Sequence, residues 1–294
     1  MAGNRRSIAP QLAAAAVALV LGAPSAPAMA RQAPAIQIPL FAGATHSFIP
    51  MRVESQPPVL VMFDTGTSEL LISTEFGRRI GLRRTGPADL TDGATGLPVP
   101  GYASILPKAA FGPVTLERLP VTVVDTAHPY SVGIVGLTLF SGRLVELDLG
   151  ARRVVLRDKT AGAIPTGPAE PYLGDGDDAL PAATIGWGDR TIRAYLDSGN
   201  NNALSFPLEM AGEFKLKAPP QPAGRARSSA GEQQIYRATL DGELVIGPLR
   251  LTDPVLTFTP HAKHPNIGAP LLARLKLVFD PAERRTWIVG SDRS

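Results

Sequence analysis

The sequence predicts an all-β protein of two pseudo-symmetric lobes, with short helices and a cleft between the lobes. Three observations point there. Glycine and proline each occur 29 times in 294 residues, which favours short strands joined by turns over long helices. The apolar segments are short, and turn residues break them at frequent intervals. A run of landmarks also occurs twice in one order: Asp197 follows Asp64 by 133 residues, Gly268 follows Gly136 by 132, Asp280 follows Asp148 by 132, and Gly247 follows Gly112 by 135. A β unit of this length met twice implies a pseudo-symmetric pair. Strands with such short connections suit a closed or orthogonally packed fold.

Residues 1–30 read as an export signal. Arg5 and Arg6 form a basic start, Leu12 to Gly22 is a short apolar stretch, and Ala28-Met29-Ala30 is a small-x-small cleavage site. The apolar stretch is too short for comfortable spanning, so no stable membrane anchor is expected after cleavage, and the protein is expected in the periplasm or secreted. Losing this segment removes two arginines and no acids, which lowers the net charge from +3 to about +1. That balance argues against a nucleic-acid partner. The absence of cysteine excludes disulfides, thiolate catalysis, cysteine zinc sites and a lipoprotein anchor. Hydrophobic content of 44% is enough for a real core, and 19% charged residues is too few for a disordered chain.

The first lobe is expected over residues 31–157. Ile49–Val53 and Val59–Phe63 read as a hairpin around a polar, Pro-containing break. Leu70-Leu71-Ile72 is a further strand, and Ser73 to Leu82 a helical turn or two, capped by Ser73 or Thr74 and stopped by Gly81. After a Gly/Pro-rich stretch, strands resume at Ala103–Leu106, Val114–Leu116 and Leu119–Val124. Val132–Phe140 follows, and a hairpin around Leu149-Gly150-Ala151 closes the unit. Residues 158–180 read as a linker. The second lobe, 181–294, begins with a hairpin at Gly188-Asp189-Arg190 and repeats the order.

The chemistry concentrates in two places. Val59-Leu60-Val61-Met62-Phe63 runs straight into Asp64-Thr65-Gly66-Thr67, and Ile192 to Leu196 runs into Asp197-Ser198-Gly199-Asn200. A carboxylate at the end of a buried strand is costly unless it is neutralised or hydrogen-bonded. If both turns lie at the pseudo-twofold axis, Asp64 and Asp197 face one another. Two carboxylates in contact share a proton and titrate as a unit. The ionised member can draw a proton from a water held between them while the protonated member polarises a carbonyl. Gly66 and Gly199 would let the backbone approach and donate N–H bonds, and the Thr65 and Ser198 hydroxyls would tie the turns together.

In these motifs the chain resembles the retropepsin/pepsin clan of aspartic peptidases. It is most similar to bacterial retropepsin-like aspartyl proteases with two tandem copies in one chain. The matching residues are Met62 to Gly66, Ile80-Gly81-Leu82 and Ile134-Val135-Gly136, with Tyr195 to Gly199 and Asn266-Ile267-Gly268 in the second copy. The resemblance implies an aspartic endopeptidase acting on peptide or protein substrates, with Asp64 and Asp197 catalytic. It also implies apolar-Gly strands bracing the turns from behind, a flap around Gly93–Ser104 with Tyr102 as its aromatic contact, and a monomer that is an internal pseudo-dimer. The resemblance gives Thr67 a hydroxyl bond to the catalytic carboxylate. Asn200 departs from that pattern and offers an amide donor instead. The competing reading is an inactive peptide- or glycan-binding protein on the same scaffold, favoured by Asn200.

Other features carry less. No cofactor and no metal is expected: His261 and His264 lack a third ligand, and Asp175-Gly176-Asp177-Asp178 lacks the rest of a calcium loop. His46 and His128 stand isolated in sequence. No Gly-x-Ser-x-Gly elbow offers a serine nucleophile. Asp148 and Asp280 precede turns and are read as hairpin-turn residues.

Overall fold

The computed structural model describes residues 34–290, apart from 44, 55, 94, 126, 127, 129, 229 and 230. The expected export signal lies outside the described residues. The first lobe contains β1 (Ile36–Pro39), β2 (Phe41–Ala42), β3 (Ser47–Val53), β4 (Val59–Phe63), β5 (Leu70–Ser73), α1 (Thr74–Arg79), β6 (Gly86–Pro87), β7 (Leu90–Thr91), β8 (Pro98–Val99), β9 (Gly101–Phe111), β10 (Val114–Val124) and β11 (Gly133–Val135). It closes with the hairpin of β12 (Leu144–Asp148) and β13 (Arg153–Arg157). Next come β14 (Glu170–Pro171), β15 (Ala182–Trp187), β16 (Arg190–Asp197), β17 (Leu204–Pro207), β18 (Gln221–Ser228), β19 (Gly231–Thr239), β20 (Glu243–Ile246), β21 (Leu249–Thr252), β22 (Val255–Thr259), β23 (Asn266–Gly268), α2 (Ala269–Leu272), β24 (Lys276–Asp280) and β25 (Arg285–Val289).

The molecule is mostly β, with two pseudo-symmetric lobes of acid-protease type. In the first, β3 pairs with β4 and also with β9, so the sheet β3-β4-β11-β5-β10-β9 closes on itself. The second lobe follows the same path through β15, β16, β23, β17, β22 and β19, with β20 returning to β15. The long hairpin β9–β10 of the first lobe is interrupted in the second, where Pro254, which has no N–H to give a ladder, follows Asp253 at a positive φ of 50°. Local chemistry sets the short helix as expected. Ser73 Oγ accepts from Phe76 N at 3.2 Å, Glu75 lies in the first turn, Arg78 and Arg79 lie in the last, and Phe76 is buried.

A six-stranded sheet, β1-β13-β12-β24-β25-β14, joins the lobes. Its centre is the antiparallel pair β12–β24, with Val145 opposite Phe279, Glu146 opposite Val278 and Leu147 opposite Leu277. Glu146 thus faces the residue 132 positions further on, the spacing that also separates Asp148 from Asp280, so the pseudo-twofold axis passes through this pair. Phe279, Leu277, Val145 and Leu147 turn into the main core. On the other face, Leu144, Val278 and Trp287 form a small cluster with Ala163 packed against it. Glu146, buried at the axis, is held by Arg157 at 3.2 Å and Lys276 at 3.1 Å. Asp148 and Asp280 take the turn role expected of them: Asp148 Oδ1 accepts from Ala151 N at 2.7 Å, and Asp280 Oδ1 from Glu283 N at 3.0 Å. Arg152 and Arg284 follow in the left-handed region, at φ 56° and 52°.

The segment 158–180, expected as a linker, does more than connect. It contains β14, which borders β25 as β1 borders β13. Glu170 accepts from both the backbone N and the hydroxyl of Thr184, at 3.1 and 2.9 Å, which ties the segment to the second lobe. Its Pro and Gly content hid a strand of only two residues.

Phe279 is fully buried in the sheet that both lobes share. Phe279→Ala is expected to cost about 3–5 kcal/mol and to lower the urea midpoint of both lobes together. Tryptophan fluorescence and circular dichroism would follow the transition, and early unfolding of one lobe alone would contradict the shared-sheet account.

Candidate active site

Each candidate carboxylate sits where a buried strand ends. β4 delivers Asp64 and β16 delivers Asp197. β11 runs parallel to β4, with Val135 beside Phe63, and Asp64 N donates to Val135 O at 3.0 Å. β23 runs parallel to β16 in the same manner, with Gly268 beside Asp197. A Cβ on Gly136 would lie 2.1 Å from Thr67 O, and one on Gly268 would lie 2.0 Å from Asn202 O. The apolar-Gly strands therefore press against the backs of the two turns, and only a residue without a side chain leaves room for that.

The turns interlock across the axis. Thr65 N donates to Ser198 Oγ at 3.0 Å, and Ser198 N donates to Thr65 Oγ1 at 3.0 Å. Thr65 Oγ1 donates to Leu196 O at 2.6 Å, and Ser198 Oγ donates to Phe63 O at 3.0 Å. Both hydroxyl residues are essentially unexposed, so all four bonds are shielded from water.

The two carboxyl groups are brought together. Gly66 N donates to Asp64 Oδ1 at 2.7 Å, Gly199 N donates to Asp197 Oδ1 at 2.8 Å, and Gly199 N also reaches Asp64 Oδ1 at 3.1 Å. The Asp64 and Asp197 carboxyl groups thus meet at one backbone donor, Gly199 N, which reaches an oxygen of each. A Cβ on Gly66 would stand 2.6 Å from Asp197 Cγ, and one on Gly199 would stand 2.4 Å from Asp64 Oδ2. Each glycine thus lets its turn lie against the opposite acid. Burial pushes the Asp64 carboxyl well above the ordinary carboxylate range. The Asp197 charge adds to this, and the Gly66 and Gly199 N–H groups oppose it.

The residues after the glycines behave differently from expectation. Among the described residues, Thr67 Oγ1 accepts from Glu69 N at 3.3 Å and makes no bond to Asp64. Asn200 does not offer its amide to Asp197. Its Nδ2 donates to Ser205 Oγ and Asn266 Oδ1, at 3.1 and 2.8 Å, and Asn266 Nδ2 donates to Asp197 Oδ2 at 2.6 Å. Asn266 was legible only as part of an apolar-Gly echo, although a polar residue opposite Ile134 in that echo is a signal.

His46 is not isolated. Its Nε2 lies 3.1 Å from Gly199 O, and because a carbonyl only accepts, that nitrogen carries the hydrogen. Burial lowers its pKa, and the Gly199 carbonyl and the Asp197 charge act against the lowering. His128 stacks edge-on to it with ring centroids 5.2 Å apart. A cavity of about 290 Å3 opens beside His46, bounded by Asn201 and the α2 residues Ala269 and Pro270. The contact spans 153 residues of sequence, and no local pattern announces it.

Tyr102 is not at a hairpin tip. It lies in β9 opposite Val123 and Pro87, with the Arg84 guanidinium 5.6 Å from its ring centroid. The projecting element is the small hairpin β7–β8, whose turn is closed by Asp92 N to Leu97 O at 2.8 Å and by Gly96 N to Asp92 O at 2.7 Å. This turn reaches the second lobe, where a Cβ on Gly96 would be 2.8 Å from Lys263 Cε. Leu97 is the exposed apolar residue of the turn. Among the described residues, no group of three or more acidic or histidine side chains is placed to hold a metal ion, and no helix is long and apolar enough to cross a membrane.

Residues 49–139 match the family model described as aspartyl protease. The match runs from β3 to the 3-10 turn after β11 and includes Asp64-Thr65-Gly66 and Ile134-Val135-Gly136. It supports a protease function. The second acid lies outside the matched residues, and its place in the site comes from the contacts across the axis. No curated protein matches the chain.

Ser198→Ala leaves Thr65 N–H buried without its acceptor and is expected to cost about 1–3 kcal/mol. Combined with Thr65→Ala, the losses should couple by about 0.5–3 kcal/mol in a double-mutant cycle read by chemical denaturation; simple additivity would speak against the interlock. Asp64 gives a signed pH effect. The folded state holds its proton more tightly than the unfolded chain, so stability falls as pH rises from the unfolded carboxyl range, about 4, through the raised folded value. Asp64→Asn should therefore raise the melting temperature at pH 7 and give no such gain at pH 3.5.

Proposed function

We propose that the protein is an aspartic endopeptidase that hydrolyses peptide bonds with a water activated between Asp64 and Asp197. The observation that carries this reading is the contact of two carboxyl groups at the ends of two equivalent strands, each flanked by the other turn's glycine. One proton shared by the pair leaves one acid and one base side by side. The base takes a proton from water as the water oxygen bonds to the substrate carbonyl carbon, and the acid protonates the carbonyl oxygen. The resulting gem-diol collapses with a proton passed to the leaving nitrogen. No covalent enzyme intermediate is involved. Thr65 and Ser198 keep the turns from separating under carboxylate repulsion, and Gly66 and Gly199 let the N–H donors approach. The β7–β8 hairpin, touching Lys263 of the second lobe, is the element that covers the cleft in this reading. The substrate is an extended peptide segment lying between the lobes. The leader at residues 1–30 sends the enzyme out of the cytoplasm, to the periplasm or the medium.

Incubation with denatured casein or a peptide library between about pH 3 and 7 tests this, because a shared-proton pair works when singly protonated. Asp64→Asn and Asp197→Asn should each lower kcat by at least about 10²–10⁴. Activity should fall as pH rises through the upper titration of the pair. Full activity in either variant would overturn the paired mechanism. A wild-type protein that binds peptide and cleaves none would support the binding-protein reading instead.

A further inference from the structure

Pseudo-symmetry makes the two acids look alike, yet one has a donor that the other lacks. Asn266 Nδ2 donates to Asp197 Oδ2 at 2.6 Å. Tyr195, two residues before Asp197, pairs with Asn266, while Met62, two residues before Asp64, pairs with Ile134. Ile134 is thus the equivalent residue of the first lobe. It has no donor to give and packs with Leu71, Val99 and Val124.

The orientation of the Asn266 amide follows from a chain whose first bond cannot reverse. Asn202 N–H donates to Asn200 Oδ1 at 2.9 Å. A backbone N–H only donates, so the atom facing it is oxygen and the other end of the Asn200 amide is NH₂. That NH₂ donates to Asn266 Oδ1 at 2.8 Å, which turns the Asn266 NH₂ toward Asp197. Asp197 then accepts on both oxygens, from Gly199 N on Oδ1 and from Asn266 on Oδ2. A proton on either would compete with a donor already in place. The two backbone donors of Asp64 both fall on Oδ1 and leave Oδ2 to carry a proton. Donation to an ionised carboxylate favours that form.

On the reading of the two acids as a peptidase pair, we propose that Asn266, oriented by Asn200, is a positioning residue that keeps Asp197 ionised and places the single shared proton on Asp64. Asp197 is then the base and Asp64 the acid. In the attack, a water O–H proton moves to Asp197, the water oxygen bonds to the carbonyl carbon, and the Asp64 proton moves to the carbonyl oxygen. In the collapse, the C–N bond breaks and the nitrogen takes the Asp197 proton. One gem-diol hydroxyl returns its proton to Asp64, which restores the starting state. Asp64 and His46 are titratable groups that face Asp197. A protonated His46, bonded to the Gly199 carbonyl, would act in the same direction as Asn266.

Selective ¹³C labelling of aspartate carboxyls tests the assignment in the full-length protein without any substrate. The resonance lost in Asp197→Asn should be the one that ionises first in the wild type. Asn266→Ile, which installs the residue of the other lobe, should raise that titration, and with it the acid limb of kcat/KM, by about one pH unit. Asn200→Ala touches neither carboxylate and should move both in the same direction by less, so it decides the matter if Asn266→Ile does not fold. The proposal fails if the resonance lost in Asp64→Asn ionises first, or if neither variant moves the titration. Peptide cleavage with Asp64 ionised first would overturn this assignment and leave the peptidase reading standing. The expected titration without cleavage would do the reverse.

Discussion

Two carboxyl groups held in contact repel whenever both are ionised, and the surrounding structure is arranged to withstand that. The restraint is applied in layers. Nearest the acids, the N–H groups of Gly66 and Gly199 point at the carboxylates. Behind these, Thr65 and Ser198 exchange hydrogen bonds across the axis in a dry environment. Further back, β11 and β23 press on the turns, and β12 pairs with β24 to fix the lobes to each other. Each layer is built from equivalent residues of the two lobes, so strain on one side is met by the same feature on the other.

Symmetry of that kind supplies rigidity but no direction. In the proposed reaction one carboxyl acts as acid and the other as base, and two identical sites give neither a fixed role. The asymmetry enters at the periphery of the site. Asn266 stands where the first lobe has Ile134, and Asn200 is arranged to orient it. The register Phe48–Met62 against Ala182–Tyr195 puts His46, beside Gly199, in the place that Leu180 has in the second lobe. The first lobe uses the position of Ile134 for apolar packing under the β7–β8 hairpin, and the second uses it to hold a carboxylate. One shared backbone plan thus carries two different electrostatic environments.

The departures from expectation share a cause. Tyr102 was a reasonable flap aromatic by position, but β9 is a long strand paired along its length, so residue 102 is held at its base and the projecting turn falls earlier, at Asp92–Leu97. The 158–180 segment has the composition of a linker, and its two-residue strand is stabilised by β25, which is distant in sequence. Asn200 was expected to act directly on Asp197, and instead acts through Asn266.

What the sequence alone determined is everything set by local pattern and by its recurrence. Apolar strands ending in Asp-Thr-Gly and Asp-Ser-Gly, the Ser73-capped turn, the Asp148 and Asp280 hairpin turns and the near-constant spacing of the landmarks are all visible in the residues. They suffice for an all-β, two-lobed fold and for the pairing of Asp64 with Asp197, because strand, turn and cap preferences act over a few residues. Tertiary structure decided which donor reaches which carboxylate oxygen, that His46 meets Gly199, and that the β7–β8 turn touches Lys263. These contacts join residues far apart in the chain, and their geometry depends on how two closed sheets are fixed across one axis. No local preference encodes that relation.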